Sequence, residues 1–489
     1  MTSPAVDYRD VQGLVRFGYK HLRAARYAVL GIKHPVAARA WLRQAPVTSA
    51  EYMQPPPSEA LQVAFSAAGL EALRVPAAVR AAFSPEFLGG MADPSRARRL
   101  GDLGANAPDH WHWGGSADVP HVLVMFFTRT PETLDGFITR ATGVAFADAF
   151  AVQALLETCD QDGIEPFGFA DGISQPAIDW DQETDPDSRK LDYSHVSALG
   201  EFVLGYENEY RKFTDRPTVA PDATSADLPD APDDPGRKDV GRNGTYLVCR
   251  QLGQDVRAFW QFVHGATGGD AAAMDRLASA MVGRTQSGEP LVAAPDRNQF
   301  TFDSDPRGVA CPVGAHIRRA NPRNTDFPGR PTGITKLLAA LGGSTKGFRD
   351  DLVSPIRYHR ILRRGREYGP TLAPIDALEP APPGDPERGL HFICVNANIG
   401  RQFEFLQNAW LTNTTFADLR GETDPLVGIR EGIPGCPAAA QFTLPRTGGP
   451  AERVSGLPQF VTTRGGEYFF MPGLRALRYL SQFSGATPP

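Results

Sequence analysis

Residues 243–263 have the sequence NGTYLVCRQLGQDVRAFWQFV. The first part is rich in β-favouring residues and the second spaces its aromatic residues as a helix does, so the stretch predicts a buried strand followed by a helix. Residues 25–44, ARYAVLGIKHPVAARAWLRQ, predict the same unit. The chain therefore contains an internal repeat of strand–helix units.

The repeat continues later in each half of the chain. Residues 120–140, PHVLVMFFTRTPETLDGFITR, match residues 390–410, LHFICVNANIGRQFEFLQNAW: a β-favouring run, a polar break and an amphipathic helix. Between the halves, residues 214–240 contain five prolines and seven aspartates, which predicts an exposed loop or linker. We therefore expect an α+β fold with two duplicated domains, at 1–213 and 241–489.

Composition excludes several classes of protein. The chain has 489 residues with 42% hydrophobic and 22% charged content, as globular proteins do. A net charge of −6 argues against a nucleic-acid-binding surface, and no apolar run reaches the roughly 20 residues that span a bilayer. The five cysteines form no C-x-x-C pair, which argues against a disulfide framework or a zinc site. With no export signal at the start of the sequence, a cytoplasmic location is expected.

Three stretches place polar groups where composition does not require them. GFADGISQP (168–176) puts Asp171 on a glycine-rich turn, and CPVGAHIRRANPRNTD (311–326) puts His316 just before a group of arginines. RYHRILRRGREYG (357–369) puts Arg363 and Arg364 after an apolar pair. Taken singly, these are a turn aspartate, a structural histidine and a solvated basic face.

Together, the three stretches resemble the dye-decolourising peroxidase family. Its G-x-x-D-G signature matches GFADG at 168–172, its haem-ligand region resembles AHIRRANPR, and its distal-arginine segment resembles RILRRG. Later blocks of the family resemble FICVNANIGRQFEFLQNAW and DPLVG, and all the blocks occur in the right order. The chain length and insertions resemble the large branch of the family. Gly365 stands where the shorter bacterial branch tends to have an asparagine near the haem.

The resemblance implies two ferredoxin-like domains, each an antiparallel sheet packed with helices, with one haem b per chain in the second. It also implies that hydrogen peroxide is reduced through a ferryl intermediate while dyes, phenolic or other aromatic compounds are oxidised. His316 would be the proximal iron ligand and Asp424 its partner. Asp171 would shuttle a proton, and Arg363, in preference to Arg364, would stabilise charge on the departing oxygen.

The resemblance further implies the surroundings of the haem. The residues expected there are Leu390 and Phe392 on the distal side, Gly172 and Ile173 beside the acid, and Arg318 against a haem propionate.

A route for electrons from bulky dyes is expected to start at a surface aromatic. Tyr368 is the best placed by sequence, ahead of Trp410 and Tyr358, although a tyrosine is more often a packing residue. Because an aspartate ionises at lower pH than a histidine, a distal Asp171 also predicts activity best under acidic conditions.

Two other functions are compatible with the residues alone. One is a haem-carrying or iron-handling protein on the same scaffold, because fold does not determine function. The other is a non-haem α+β protein in which the acid and arginine clusters are structural. The absorption spectrum of the purified protein, with and without hydrogen peroxide, distinguishes all three.

Overall fold

The computed structural model describes residues 5–184, 194–324, 355–430, 432 and 439–483. The α-helices in these ranges are α1 Gly13–Phe17, α2 Pro35–Gln44, α3 Ala67–Ala72, α4 Ala77–Arg80, α5 Pro85–Gly89, α6 Pro94–Leu100, α7 Pro131–Thr142, α8 Phe146–Ala149, α9 Val256–Thr267, α10 Ala271–Val282, α11 His316–Ala320 and α12 Leu474–Leu480. The strands are β1 Ala24–Ile32, β2 Glu59–Phe65, β3 Val122–Thr128, β4 Phe150–Glu157, β5 Ala177–Asp179, β6 Val196–Ala198, β7 Thr218–Val219, β8 Lys238–Asp239, β9 Thr245–Gln254, β10 Leu362–Arg363, β11 Arg366–Tyr368, β12 Gly389–Asn396, β13 Gln441–Leu444, β14 Glu452–Ser455 and β15 Val461–Met471. Two π-helical segments span Gly400–Glu404 and Leu406–Leu411. Thr325 and Asp326, at the end of the predicted ligand stretch, and Cys436 lie outside the described residues.

All four predicted strand–helix units are present. β1 is followed by α2, β3 by α7, and β9 by α9, and β12 leads into the two π-helical segments. Asp255 caps α9 by accepting a hydrogen bond from the Ala258 N–H at 2.8 Å. The repeat seen in the sequence is therefore a repeat of structure.

The strands of both halves join in one nine-stranded sheet with the order β10–β12–β9–β15–β2–β3–β1–β4, and β11 also pairs with β12. Each half contributes antiparallel strands, and the halves meet where Phe470 of β15 pairs with Phe65 of β2. This arrangement confirms the predicted α+β class. Whether the halves are separate domains with a boundary at 214–240 stays a prediction.

The sheet is buried on both faces, as the continuous apolar runs of its strands indicate. In β3, Val124 and Phe126 enter the core on one face, whereas Met125 and Phe127 enter the core on the other. A third core, built around α9 and α10, includes Phe167 of the loop that carries Asp171. The loop is thereby packed onto the C-terminal half.

The acidic segment 214–240 is largely exposed, but a buried arginine near its start holds its two ends together. Arg216 donates to Asp239 at 2.6 Å and also pairs with Asp233, while β7 pairs with β8. Across the residues that the structure describes, no helix has both the length and the apolar character needed to cross a membrane.

Candidate active site

A cavity of about 900 Å³ gathers most of the predicted site residues. Its volume lies near the upper end of the range for ligand pockets, about 300–1,000 Å³. The predicted residues that line it come from four separate stretches of the chain: Asp171, Gly172, Ile173, His316, Arg363, Leu390 and Phe392. The cavity is therefore large enough for a ligand far bigger than hydrogen peroxide.

The G-x-x-D-G turn presents Asp171 to this cavity. Its backbone N–H donates to the Gly163 carbonyl at 2.8 Å, which closes the turn. Gly168 and Gly172 have φ angles of 96° and 69°, a region that residues with a side chain rarely adopt. The two glycines of the motif thus meet a backbone requirement of the turn.

Asp171 and Arg363 form an ion pair across the cavity wall. Arg363 Nη1 donates to Asp171 Oδ1 at 2.8 Å, and the Arg363 N–H donates to Gln175 Oε1 at 3.0 Å. Burial alone would raise the pKa of Asp171, but the charge and hydrogen bond of Arg363, the Gly172 N–H and the nearby His316 together hold that pKa below its usual value. The pair therefore keeps an ionised carboxylate inside the cavity.

Arg364, which also lines the cavity, has a different environment from Arg363. Its Nε donates to the Leu14 carbonyl at 2.9 Å, and its Nη2 donates to the Val15 carbonyl at 2.8 Å. These bonds hold the Arg364 side chain against Leu14 and Val15, whereas the Arg363 side chain reaches Asp171. Geometry thus favours Arg363 as the partner of the acid.

Gly365 stands where β12 approaches the chain closely. A Cβ atom at this position would lie 2.5 Å from the His391 carbonyl oxygen and 2.9 Å from the Ile393 nitrogen. An asparagine would therefore clash with the backbone of β12.

His316 is the first residue of α11 and lines the cavity. Its Nδ1 lies 2.9 Å from Asp424 Oδ2, which leaves Nε2 as the ring nitrogen available to a ligand. Burial opposes the charged ring, but the Asp424 carboxylate outweighs burial and raises the pKa of His316. The imidazole is thus oriented, and its Nδ1 proton held, by a carboxylate.

Asp424 is fully buried behind His316 and is itself held from two sides. Its Oδ1 accepts the N–H groups of Leu426 at 2.9 Å and Val427 at 3.0 Å. Burial would raise the pKa of Asp424, but His316 and the backbone donor of Val427 together lower it. The carboxylate therefore stays ionised and fixed in position.

The structure does not bring Arg318 to the cavity, contrary to the expectation that it meets a haem propionate. The side chain is 2% exposed, and its guanidinium lies over the Phe302 ring at 4.3 Å. It donates to the Cys311 carbonyl at 2.6 Å and to Asp305 Oδ2 at 3.2 Å. On a short helix, residues two apart face different directions, so Arg318 points away from the side that presents His316.

Two arginines that do line the cavity were not predicted as site residues. Arg284 donates to the carbonyls of Gly288 and Arg297, each at 2.8 Å, and its Nη2 donates to Ser174 Oγ at 3.0 Å. Arg323 Nη2 donates to the same hydroxyl at 3.1 Å. Burial, with the positive charges nearby, lowers the pKa of Arg284 to about 10.

This end of the cavity therefore favours an anionic group, because a buried cation is stabilised by a negative partner. Arg323 had a sequence signal, since it belongs to the arginine group after His316. Arg284 follows the glycine that ends α10, and no local motif marks it.

Leu390 and Phe392 lie in β12 and line the cavity as expected. Both are half-buried, whereas their neighbours His391 and Ile393 are buried on the other side of the strand. This alternation is the two-residue period of a strand. The alternation along β12 explains why both side chains face the cavity. Leu390 and Phe392 also make that part of the cavity wall apolar.

Tyr368 is not a surface residue, so it does not fit the proposed role of surface relay. It is 8% exposed, its hydroxyl donates to Glu387 Oε1 at 2.7 Å, and its ring stacks on His391 at 4.5 Å. Tyr210, by contrast, is 50% exposed and stacks on Tyr358 with 3.9 Å between ring centroids.

The stacked pair adjoins the cavity wall. Tyr358 precedes His359, which lines the cavity and packs edge-on against Trp410 at 5.4 Å. Trp410 is 7% exposed and also lines the cavity. Aromatic rings therefore extend from the cavity towards the surface on this side.

Comparison with known proteins shows what this chain is similar to. The multifunctional dye peroxidase of Amycolatopsis sp. is 33% identical over 347 residues, which cover 66% of this chain and 62% of that protein. The chain's match thus spans less than two thirds of the length of that relative. A dye-decolorizing peroxidase of Auricularia auricula-judae is 26% identical over 507 residues, covering 96% of this chain and 86% of that protein.

Solved structures share the fold. A crystal structure of the Auricularia auricula-judae decolorizing peroxidase superposes with a TM-score of 0.70 at 23% identity and covers 97% of this chain and 100% of that one. That of an Anabaena sp. DyP-type peroxidase gives a TM-score of 0.71 at 21% identity, covering 97% and 94%. No family model matches the chain. The chain is therefore similar in sequence to curated dye peroxidases and shares its fold with solved DyP-type peroxidases.

Proposed function

We propose that this protein is a haem peroxidase that reduces hydrogen peroxide and oxidises dyes and phenolic or other aromatic compounds. The observation that carries the proposal is the meeting of two pairs at one cavity. Arg363 bonds Asp171 at 2.8 Å, and Asp424 bonds His316 at 2.9 Å. The names of the relatives, dye peroxidase and dye-decolorizing peroxidase, support the same activity.

The residues around the cavity fit a haem b. His316 offers a nitrogen ligand whose other ring nitrogen is bound to a carboxylate, as metal-ligating histidines usually are. The buried Arg284, whose three hydrogen bonds go to neutral oxygens, suits a propionate, and we propose it with Arg323 in place of Arg318. When bound, the haem iron would supply the redox chemistry of peroxide cleavage.

Asp171 and Arg363 would act on the peroxide itself. The ionised Asp171 carboxylate takes the proton from the inner peroxide oxygen and delivers it to the outer oxygen, which leaves as water. Arg363 stabilises negative charge on that departing oxygen, an interaction that commonly contributes about 100- to 1,000-fold in rate. Because Arg363 helps to hold the pKa of Asp171 below its usual value, the base stays ionised at acidic pH.

Absorption spectroscopy of the purified holoprotein tests the proposal. We expect a Soret band whose spectrum changes within seconds of adding hydrogen peroxide and returns when a phenolic reductant is added. A haem spectrum indifferent to peroxide would favour the carrier function instead. A protein that binds no haem after reconstitution would contradict both functions.

Bulky dyes that cannot enter the cavity would give their electrons through Tyr210 and Tyr358. Tyr210→Phe should slow oxidation of a bulky dye severalfold and spare a small phenol, because phenylalanine lacks the oxidisable hydroxyl. Steady-state kinetics with both reductants measures the difference.

Tyr368→Phe is the matched control, since Tyr368 is buried and its hydroxyl is bonded to Glu387. It should leave the ratio of the two rates unchanged. Equal losses of rate with dye and with phenol in Tyr210→Phe would contradict electron transfer through Tyr210 and Tyr358.

A further inference from the structure

Glu165 begins the loop that carries Asp171, and it lines the cavity. Its Oε1 accepts the Phe169 N–H at 3.0 Å, and its Oε2 accepts the Phe167 N–H at 3.0 Å. The backbone closes the same loop, because the Glu165 N–H donates to the Phe169 carbonyl at 2.9 Å. The conformation of residues 165–169 is therefore stabilised by hydrogen bonds to a single carboxylate.

The same carboxylate ties this loop to the central sheet. Gln254, the last residue of β9, donates from Nε2 to Glu165 Oε2 at 2.8 Å. On the other side of the loop, Trp260 of α9 donates from Nε1 to the Phe167 carbonyl at 3.1 Å. Glu165 thus joins two backbone N–H groups of the loop to one strand end.

We propose that Glu165 is a positioning residue that holds Asp171 in register with Arg363; this inference rests on the function proposed above. Asp171 follows Phe169 by two residues, so any shift of this loop moves its carboxyl group. The backbone of Arg363 is also held by the sheet, because β10 pairs it with Cys394 of β12. The Glu165 carboxylate therefore fixes the position of Asp171, while the sheet fixes the backbone of Arg363.

The position of Asp171 relative to Arg363 affects its pKa, which makes the proposal testable. Within the described ranges, the charged or titratable groups acting with Asp171 are Arg363 from β10, His316 from α11, Glu367 from β11 and Glu165 from its own loop. Burial raises the pKa of Glu165 to about 7, so its carboxyl is uncharged over the pH range in which Asp171 titrates, and Glu165→Gln removes no charge from Asp171 there. Moving Asp171 away from Arg363 would raise the pKa of Asp171.

Glu165→Gln is the test variant, since its amide would turn an N–H towards a backbone N–H and loosen the loop. We expect the rate of reaction with hydrogen peroxide to fall by about 100-fold, the scale of a 1 Å misplacement. The acid limb of the pH–rate profile should move to higher pH, and the KM for a phenolic reductant should stay unchanged. Stopped-flow spectroscopy of the holoprotein across pH measures the first two.

Glu467→Gln is the matched control. Glu467 also accepts two backbone N–H groups, from Met91 at 2.9 Å and Tyr468 at 2.6 Å, but it lies outside the cavity wall. Burial raises the pKa of both carboxyls, Glu165 and Glu467, to about 7. The control should lower thermal stability and leave the peroxide rate and the pH profile unchanged.

A wild-type peroxide rate in Glu165→Gln, an acid limb moved to lower pH, or an equal rate loss in Glu467→Gln would each overturn the proposal. If the wild-type holoprotein fails to react with peroxide, the proposed function fails instead. Amide hydrogen exchange separates the two cases, because it needs no activity. Faster exchange at Phe167 and Phe169 in Glu165→Gln and in Gln254→Leu supports the positioning role, and unchanged protection in both overturns it.

Discussion

Asp171→Asn is expected to retain haem and to react with hydrogen peroxide about 100- to 10,000-fold more slowly, the usual contribution of a general base. The amide has the same shape and still offers an oxygen to Arg363 Nη1, now 2.8 Å from Asp171 Oδ1. It cannot accept the peroxide proton at any accessible pH. Stopped-flow absorbance at the Soret band, with peroxide in excess, measures the rate constant directly.

Asp160→Asn is the matched control for this substitution. Asp160 also lines the cavity, but it is paired with Arg23 instead of Arg363. Its variant should react with peroxide at the wild-type rate. A loss below tenfold in Asp171→Asn, or equal losses in both variants, would contradict the role of Asp171 as the base.

The pH dependence of the wild-type protein follows from the same pair. In the role proposed for it, Asp171 would accept a proton only when ionised, and Arg363 helps to hold its folded-state pKa below the usual value of 3.8. The peroxide rate should therefore persist as pH falls to about 4 and be lost only as pH falls through that lowered pKa. A rate that already declines between pH 7 and 5 would point to a different base.

His316→Ala is expected to abolish haem binding, because it removes the nitrogen that would ligate the iron. The ratio of haem to protein after reconstitution should fall below about a tenth of the wild-type value, since the remaining contacts do not replace an axial ligand. The pyridine haemochrome assay measures this ratio. Added imidazole, which can occupy the space of the missing ring, should restore part of the Soret band.

His359→Ala is the control for a general loss of cavity packing. His359 lines the same cavity, but its Nδ1 contacts the Arg401 carbonyl and its ring stacks on Phe405. It should retain haem. Full haem content in His316→Ala would contradict the ligand assignment, and equal haem loss in both variants would attribute the loss to packing.

Much of the fold was accessible from local pattern. The β-favouring runs at 25–44, 120–140, 243–263 and 390–410 predicted four strand–helix units, and all four are present. Such units depend on periodicity within a dozen residues, which short windows of sequence contain. The joining of both halves in one sheet, where Phe470 pairs with Phe65, could not be predicted from sequence. That pairing depends on packing between segments that are distant along the chain.

The candidate site divides in the same way. The resemblance drew attention to Asp171 and His316, whose motifs are local and specific. It misplaced Arg318, because two residues along a short helix reverse the direction of a side chain. By sequence, Tyr368 is the best placed surface aromatic because it lies five residues beyond Arg363, but in the structure it is buried and stacks on His391.

By itself, the sequence determined the repeated α+β units and the residue types available for peroxide chemistry. Only the tertiary structure decided which atoms meet. Arg363 contacts an acid 192 residues earlier, and His316 contacts Asp424 108 residues later. The physical reason is that backbone propensity and side-chain pattern act over a few residues. Ion pairs and cavity walls, by contrast, form only when packing of the sheet and its loops brings distant segments within hydrogen-bonding distance.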